Sequence, residues 1–191
     1  MFHPIEWLRC LRTRLNRPAL HGFDARSFWS LFECDGVPFA GPPGSLTTCE
    51  RPPELLVVVT TYRRAQACEQ LLEMLRAALD HTPLRSHVLV FNDASDADYA
   101  ACRALAHALF PAQLTWLDAR VRLGKPGFWQ VYQTAFLAAQ LLTPEHALFI
   151  QDDIEIPADL LRRVYAFWRR TEDDPLRRVL YLFSSHDDEP S

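Results

Sequence analysis

The sequence has little glycine, almost no lysine and no long apolar run. Six of its 191 residues are glycine, and Lys125 is its single lysine, so nearly all of its 20 basic side chains are arginines. No apolar run approaches the roughly 20 residues that a membrane span requires. The formal charge of −4 lacks the basic excess that is usual in nucleic-acid-binding domains. These absences argue against a membrane-spanning helix and against a nucleic-acid partner.

Paired cysteines and a leader sequence are also missing. The five cysteines are scattered without a Cys-x-x-Cys pair, which fits reduced thiols rather than disulfides or a zinc site. Glu6 and Arg9 interrupt any apolar segment that would form a secretory signal. We therefore expect a cytoplasmic protein. Hydrophobic residues make up 49% of the chain, which is enough for a globular core and too much for intrinsic disorder.

The chain divides into an N-terminal region, residues 1–53, and a domain over residues 54–191. Residues 2–17 have the pattern of a basic amphipathic helix. This helix is expected to pack on its own domain, and the alternative is peripheral contact with the inner face of a membrane. The rest of the first region is rich in proline and glycine and predicts an irregular arm, with one short helix near residues 27–32.

Apolar strand patterns alternate with amphipathic helix patterns from residue 54 onward. Such alternation predicts an α/β fold with a Rossmann-like, mostly parallel sheet and helices on both faces. In these sheets, ligands bind beyond the carboxyl ends of the strands. The predicted strands cover residues 55–60, 87–91, 114–117, 147–150 and 179–183, and the predicted helices cover residues 63–80, 98–109, 128–142 and 157–170.

Carboxylates are concentrated directly after the fourth predicted strand. Asp152, Asp153 and Glu155 repel one another unless a cation lies among them. Because Mg²⁺ and Mn²⁺ prefer carboxylate oxygens, the aspartate pair predicts a metal site. Glu155 is explained at least as well by its place near the N-terminus of the helix that follows, where negative charge is favourable.

Two other polar edges follow buried strands. Asp93 is suited to accept hydrogen bonds from a base or a ribose, whereas its neighbours at this edge also fit an Asx turn or a helix cap. The edge Thr60–Arg64 offers hydroxyls, an aromatic ring and two cations, which are the partners that a nucleotide needs. The alternative is that Tyr62 only covers the end of the sheet. Lys125 lies in a Gly-Lys-Pro-Gly loop that is able to approach a diphosphate closely.

Three segments resemble the donor-binding half of GT-A glycosyltransferases: Leu55–Arg63, Val90–Asp96 and Phe149–Pro157. Their order is similar to that in the inverting family 2 enzymes, and the last segment is similar to that of the mannosyl N-acetylglucosaminyltransferases. The resemblance implies metal-dependent transfer of a sugar from a nucleotide-diphospho-sugar, typically a UDP-sugar, to a saccharide or other acceptor hydroxyl. Its implied site comprises Thr60, Tyr62 and Arg63 near uracil and ribose, Asp93 on the base, Asp153 on Mn²⁺ or Mg²⁺, and Asp152 beside the metal and the ribose or sugar.

The sequence departs from this family pattern in two respects. Asn92 and Gln151 replace the leading acids of their motifs. Fewer than 40 residues follow the metal motif, where the acceptor half and the general base are expected. Asp187 and Asp188 are acids near the end of the chain, and neither is assigned as the base. The alternatives are a non-catalytic nucleotide-sugar-binding module, a fragment without the acceptor half, or an oligomer whose second subunit completes it. A receiver-like or phosphatase-like domain is disfavoured, because it needs an aspartate after the first strand.

Overall fold

Six strands form a single sheet in the computed structural model, which describes residues 30–34, 36–38, 52–93, 97–124, 131–136, 142–171 and 173. Residues 131–136 are also helical. The strands are β1 (Phe32–Cys34), β2 (Val37–Pro38), β3 (Leu55–Thr61), β4 (Ser86–Asn92), β5 (Leu114–Ala119) and β6 (His146–Gln151), and the helices are α1 (Ala65–Asp80), α2 (Ala100–Leu109) and α3 (Leu160–Arg170).

The sheet is mostly parallel, which confirms the predicted fold class. Its strand order is β2-β1-β5-β4-β3-β6, and the four strands from β5 to β6 run parallel to one another. The two short strands β1 and β2 are antiparallel additions at one edge. Because β4 and β6 flank β3 on opposite sides, the strand order reverses at β3, and a crevice is expected there beyond the carboxyl ends of the strands.

Alternate residues of β3 point to two separate cores, one on each face of the sheet. Val57 and Val59 lie in the core that α1, α2 and α3 cover. Val58 lies in the opposite core, together with Val131 and Ala135 of the helical residues 131–136. Helices therefore cover both faces, as predicted. The apolar residues of α1 are buried on one of these faces, and they include Cys68, Leu71, Leu72, Leu75 and Leu79.

The strand β1 lies in a segment that the sequence predicts as an irregular arm. Phe32, which is predicted to end a short helix, instead begins this strand. Its side chain is fully buried, its ring lies edge-on to Phe91 with the centroids 5.4 Å apart, and its backbone is in register with Ala119. These partners are distant in sequence, so local composition does not reveal the strand.

Several predicted features lie outside the described residues. They are the amphipathic helix at 2–17, most of the helix at 128–142, the strand at 179–183, and the side chains of Lys125, Asp187 and Asp188. Within the described ranges, no helix is long and apolar enough to cross a membrane.

A buried histidine on β4 makes stability depend on pH. His87 Nε2 lies 2.9 Å from Thr115 Oγ1, while its Nδ1 is buried and has no hydrogen-bond partner in the described structure. Burial lowers the pKa of His87 from 6.5 to about 4. Between these two pH values the unfolded chain binds more protons, so the stability contribution present above pH 6.5 is lost as the pH falls toward 4.

Because of this histidine, we expect the free energy of unfolding to be about 2 kcal/mol lower at pH 5 than at pH 7. Urea denaturation at the two pH values measures the difference. His87→Gln has no titrating ring, so its stability is expected to change less over this range. Equal pH dependence in the two proteins would contradict the assignment.

Candidate functional site

The carboxylate of Asp152 joins the ends of β3 and β6 at the predicted crevice. The residue follows β6 and is only 2% exposed. Its Oδ2 accepts hydrogen bonds from the Thr61 hydroxyl at 2.7 Å and from the Tyr62 backbone N–H at 3.2 Å. Its own N–H donates to the Thr60 carbonyl at 3.2 Å. A buried carboxylate is therefore built into the carboxyl edge of the sheet.

The guanidinium of Arg64 bridges both aspartates of the predicted metal pair. Its Nη2 lies 2.7 Å from Asp152 Oδ1, and its Nη1 donates to Asp153 Oδ2 at 2.8 Å. The side chains of Arg64 and Asp153 are 47% and 45% exposed, whereas that of Asp152 is 1% exposed. Partial burial alone would lower the pKa of Arg64, but the hydrogen bond to Asp153 and the two negative charges outweigh burial and raise it.

A series of hydrogen bonds through the buried Tyr99 holds Arg64 and Asp152 in position. The Arg64 N–H donates to the Tyr99 hydroxyl oxygen at 3.0 Å, and the hydroxyls of Tyr99 and Thr61 lie 2.8 Å apart. Because the Thr61 hydroxyl donates to Asp152, the Tyr99 hydroxyl must donate to Thr61. Tyr99 is 5% exposed, and its burial raises the pKa of its hydroxyl against the lowering effect of Thr61. This series thus links the buried carboxylate to the loop that carries Arg64.

Two arginines lie close to the ring of Tyr62. The guanidinium carbons of Arg63 and Arg122 are 5.4 and 5.5 Å from its centroid. Arg63 has a φ of 61°, so the backbone turns sharply between Tyr62 and Arg64. This turn separates the two neighbouring arginines, with Arg63 beside the aromatic ring and Arg64 on the aspartates.

Asp93 anchors the segment that leads to the glycine-flanked loop. Its Oδ1 accepts the N–H of Leu123 at 2.7 Å, and its Oδ2 accepts the N–H of Gly124 at 2.8 Å. Gly124 has a φ of 59°, which favours glycine. Asp93 N–H also donates to the Thr61 carbonyl at 3.0 Å, so this edge is tied to β3. Contact of Asp93 with a base remains a prediction.

Asn92 belongs to a buried polar network that sequence reasoning missed. Its Nδ2 donates to Asp118 Oδ1 at 2.8 Å, as does Trp116 Nε1, also at 2.8 Å, and Arg103 pairs with Asp118 Oδ2. Asp118 is 8% exposed. An aspartate at position 92 would place a second carboxylate against Asp118, so the amide that departs from the family pattern is the residue this network requires.

Gln151, the other departure, likewise uses its amide. Its Nε2 donates to the hydroxyl of Tyr132 at 3.2 Å. This contact links the end of β6 to the helical residues 131–136, which lie on the face of the sheet that α1, α2 and α3 do not cover. At positions 92 and 151 the side-chain amide therefore makes hydrogen bonds at the carboxyl edge of the sheet and adds no charge to it.

The aspartate pair suits a divalent cation in its chemistry. Two carboxylates lie side by side, and Mg²⁺ typically takes one or two protein carboxylates together with substrate phosphates. Asp152 Oδ1 is buried and makes no hydrogen bond within the described structure, although it lies close to Arg64. No cluster of three or more His, Cys, Asp or Glu side chains suited to a metal occurs among the described residues. Phosphate oxygens and water would have to complete the coordination of the cation.

The structure brings most of the predicted residues to one edge of the sheet. Thr60 lies one residue before the end of β3, where it pairs with Gln151 of β6, and its hydroxyl is 3.5 Å from the Ile150 carbonyl. Glu155 is exposed, and Lys125 lies outside the described residues. The sequence analysis predicted two arginines at this edge and assigned Arg63 to the nucleotide. It did not identify Arg64 as the partner of the aspartates. The predicted residues near the described edge are Thr60, Tyr62, Arg63, Asp93, Asp152 and Asp153.

Comparison with known proteins gives similarity to solved structures alone. No protein-family model matches the chain, and no curated protein matches it. S. aureus TarS 1-349 is 21% identical over 67% of this chain, with a TM-score of 0.48. Its complexes with UDP and UDP-GlcNAc are 20% and 21% identical, with TM-scores of 0.47 and 0.48. The chain spans 38% of the TarS 1-349 structure.

Proposed function

We propose that this chain binds a nucleotide-diphospho-sugar at the carboxyl edge of β3, β4 and β6, as the donor-binding part of a glycosyltransferase. The observation that carries the proposal is the buried carboxylate of Asp152 at the point where the strand order reverses. The exposed carboxylate of Asp153 lies beside it, and Arg64 spans the two. A ligand that brings both a cation and phosphates matches a site with two carboxylates and a guanidinium.

The donor would lie across the ends of the three strands. Asp153, with Asp152 beside it, would hold Mn²⁺ or Mg²⁺, and that ion when bound would neutralise charge on the leaving diphosphate. Arg63 and Arg64 supply positive charge for the phosphates, and the ring of Tyr62 supplies an aromatic face at the same edge. Asp93 orders the segment at residues 123–124 that precedes Lys125.

The reaction expected of such a site is a direct displacement with inversion at the sugar carbon. An acceptor hydroxyl attacks that carbon, the bond to the diphosphate breaks, and a base takes the hydroxyl proton. Asp93, Asp152 and Asp153 each already hold a hydrogen-bond donor. Because these carboxylates are engaged within the chain, a second candidate function is favoured. In it, the chain is a module that binds the donor, and another part of an assembly supplies the base.

Calorimetry with UDP and Mn²⁺ tests the binding proposal. The wild-type chain is expected to bind UDP in the presence of Mn²⁺, and Asp153→Asn is expected to weaken that binding at least about tenfold, because one metal-binding carboxylate is lost. The matched control is Asp80→Asn, since Asp80 is an exposed aspartate, 53% by side chain, that also pairs with an arginine.

Failure takes two clear forms in this experiment. No heat of UDP binding by the wild type with Mn²⁺ would contradict the proposal, and so would equal affinities for the wild type and Asp153→Asn. Release of UDP from a UDP-sugar then separates the two candidates, because the enzyme turns the donor over, whereas the module binds it without turnover.

A further inference from the structure

Arg64 occupies the space between the two carboxylates that a cation would use. Its two terminal nitrogens each face a different aspartate, at 2.7 Å from Asp152 and 2.8 Å from Asp153. These are the only ion pairs of the two aspartates within the described ranges. A planar guanidinium is well suited to such a bridge because its donors are fixed in a fork. The protein therefore has its own counter-ion at this point.

The buried aspartate needs such a counter-ion. A carboxylate that is 1% exposed is costly to leave without a positive partner, and a second carboxylate beside it increases that cost. The Thr61 hydroxyl and the Tyr62 N–H satisfy only Oδ2 of Asp152, so Oδ1 depends on Arg64. Arg64 thus stabilises a site that would otherwise carry two uncompensated charges.

A divalent cation on the two aspartates would compete with this guanidinium. Both would use Asp152 Oδ1 and Asp153, and two positive charges at this spacing repel. The side chain of Arg64 is 47% exposed and so has room to leave. Its backbone N–H stays tied to the Tyr99 hydroxyl, so the residue moves by its side chain alone.

We propose that Arg64 is a displaceable counter-ion, which the cation replaces on Asp152 and Asp153 and which then pairs with the diphosphate of the donor. This inference rests on the proposed function. A cation alone must compete with Arg64, whereas the diphosphate gives the released guanidinium a new partner. The cation and the nucleotide therefore bind cooperatively, each raising the affinity of the other by the same factor.

Titration with Mn²⁺ alone, followed by calorimetry, tests the competition. Arg64→Gln is expected to bind Mn²⁺ about tenfold more tightly than the wild type, because no guanidinium competes for the carboxylates. Arg64→Lys keeps one charge and loses the fork, so an intermediate affinity is expected. Arg85→Gln is the control. Arg85 is exposed, pairs with Glu54 and directly precedes β4, so it lies at the end of that strand away from the candidate site. Unchanged Mn²⁺ affinity in a folded Arg64→Gln chain would overturn the proposal.

A second measurement begins with the wild type alone, so its first result does not depend on the folding of a variant. In the wild type, saturating UDP is expected to raise the affinity for Mn²⁺ at least about tenfold. In Arg64→Gln this factor is expected to shrink. Absence of any coupling in the wild type, while both ligands bind, would overturn the role of Arg64. If neither protein binds UDP but Arg64→Gln still binds Mn²⁺ more tightly, the competition stands and the nucleotide proposal fails.

Discussion

Replacing Asp152 with alanine is expected to lower the free energy of unfolding by about 2–4 kcal/mol, because the Thr61 hydroxyl and the Tyr62 N–H lose their acceptor and each unsatisfied buried donor costs roughly 1–3 kcal/mol. The carboxylate is 2% exposed and joins β6 to the loop after β3. Its loss leaves the Thr61 hydroxyl and the Tyr62 N–H without their acceptor and removes one of the two ion-pair partners of Arg64. Urea denaturation followed by circular dichroism measures the change.

Two further variants show whether the effect comes from the buried charge. Asp152→Asn keeps an oxygen that is able to accept the Thr61 and Tyr62 hydrogen bonds, so a smaller loss is expected. Asp153→Ala removes a carboxylate that is 45% exposed, and surface ion pairs of this kind contribute at most about 1 kcal/mol. If the alanine variants at 152 and 153 were equally stable, Asp152 would not be the structural centre of this edge.

Replacing Asp118 with alanine is expected to cost about 3–5 kcal/mol of stability, since each buried donor left unsatisfied costs roughly 1–3 kcal/mol. Three donors lose their acceptor in this variant, namely the Asn92 amide, the Trp116 indole and the Arg103 guanidinium. The arginine is 35% exposed, so water compensates part of its loss. The same urea measurement detects the effect.

A charge exchange provides the matching control. Asn92→Asp places a carboxylate against Asp118 and is expected to destabilise the chain, even though it restores the acid of the resembled motif. Adding Asp118→Asn to that variant exchanges the two groups and is expected to recover part of the loss. An Asn92→Asp chain as stable as the wild type would show that the two side chains do not interact.

The parallel strands were predictable because each contains a short apolar run in local sequence. The strands β3 and β4 are buried, whereas β6 lies at one edge of the described sheet and is mostly half-buried, and the polar residues that follow these runs mark the carboxyl edge of the sheet. The strand β1 was not predictable in this way, because its stability comes from pairing with β5 and from the contact of Phe32 with Phe91. Those contacts join residues far apart in the chain.

The site was predictable in its location and less so in its detail. Asp152 and Asp153 were identified because adjacent carboxylates after an apolar strand repel one another unless a cation lies among them. The choice between Arg63 and Arg64 depends on the backbone angle at Arg63, which no local pattern specifies. The pairing of Asn92 with Asp118 joins residues 26 positions apart and likewise needs the folded sheet. The nucleotide contacts of Thr60, Tyr62 and Asp93 remain predictions.

The left-handed backbone of Arg63 means that the loop after β3 is held under strain. A non-glycine residue in this region costs about 1–3 kcal/mol and persists only where its surroundings enforce it. Here the enforcing contacts are the Tyr62 N–H on Asp152 and the Arg64 N–H on Tyr99, one on each side of Arg63. Tyr99 lies 35 residues beyond Arg64 and is itself buried, so it acts as a distant clamp. The conformation of the candidate site is consequently controlled from the core of the domain as well as from its surface.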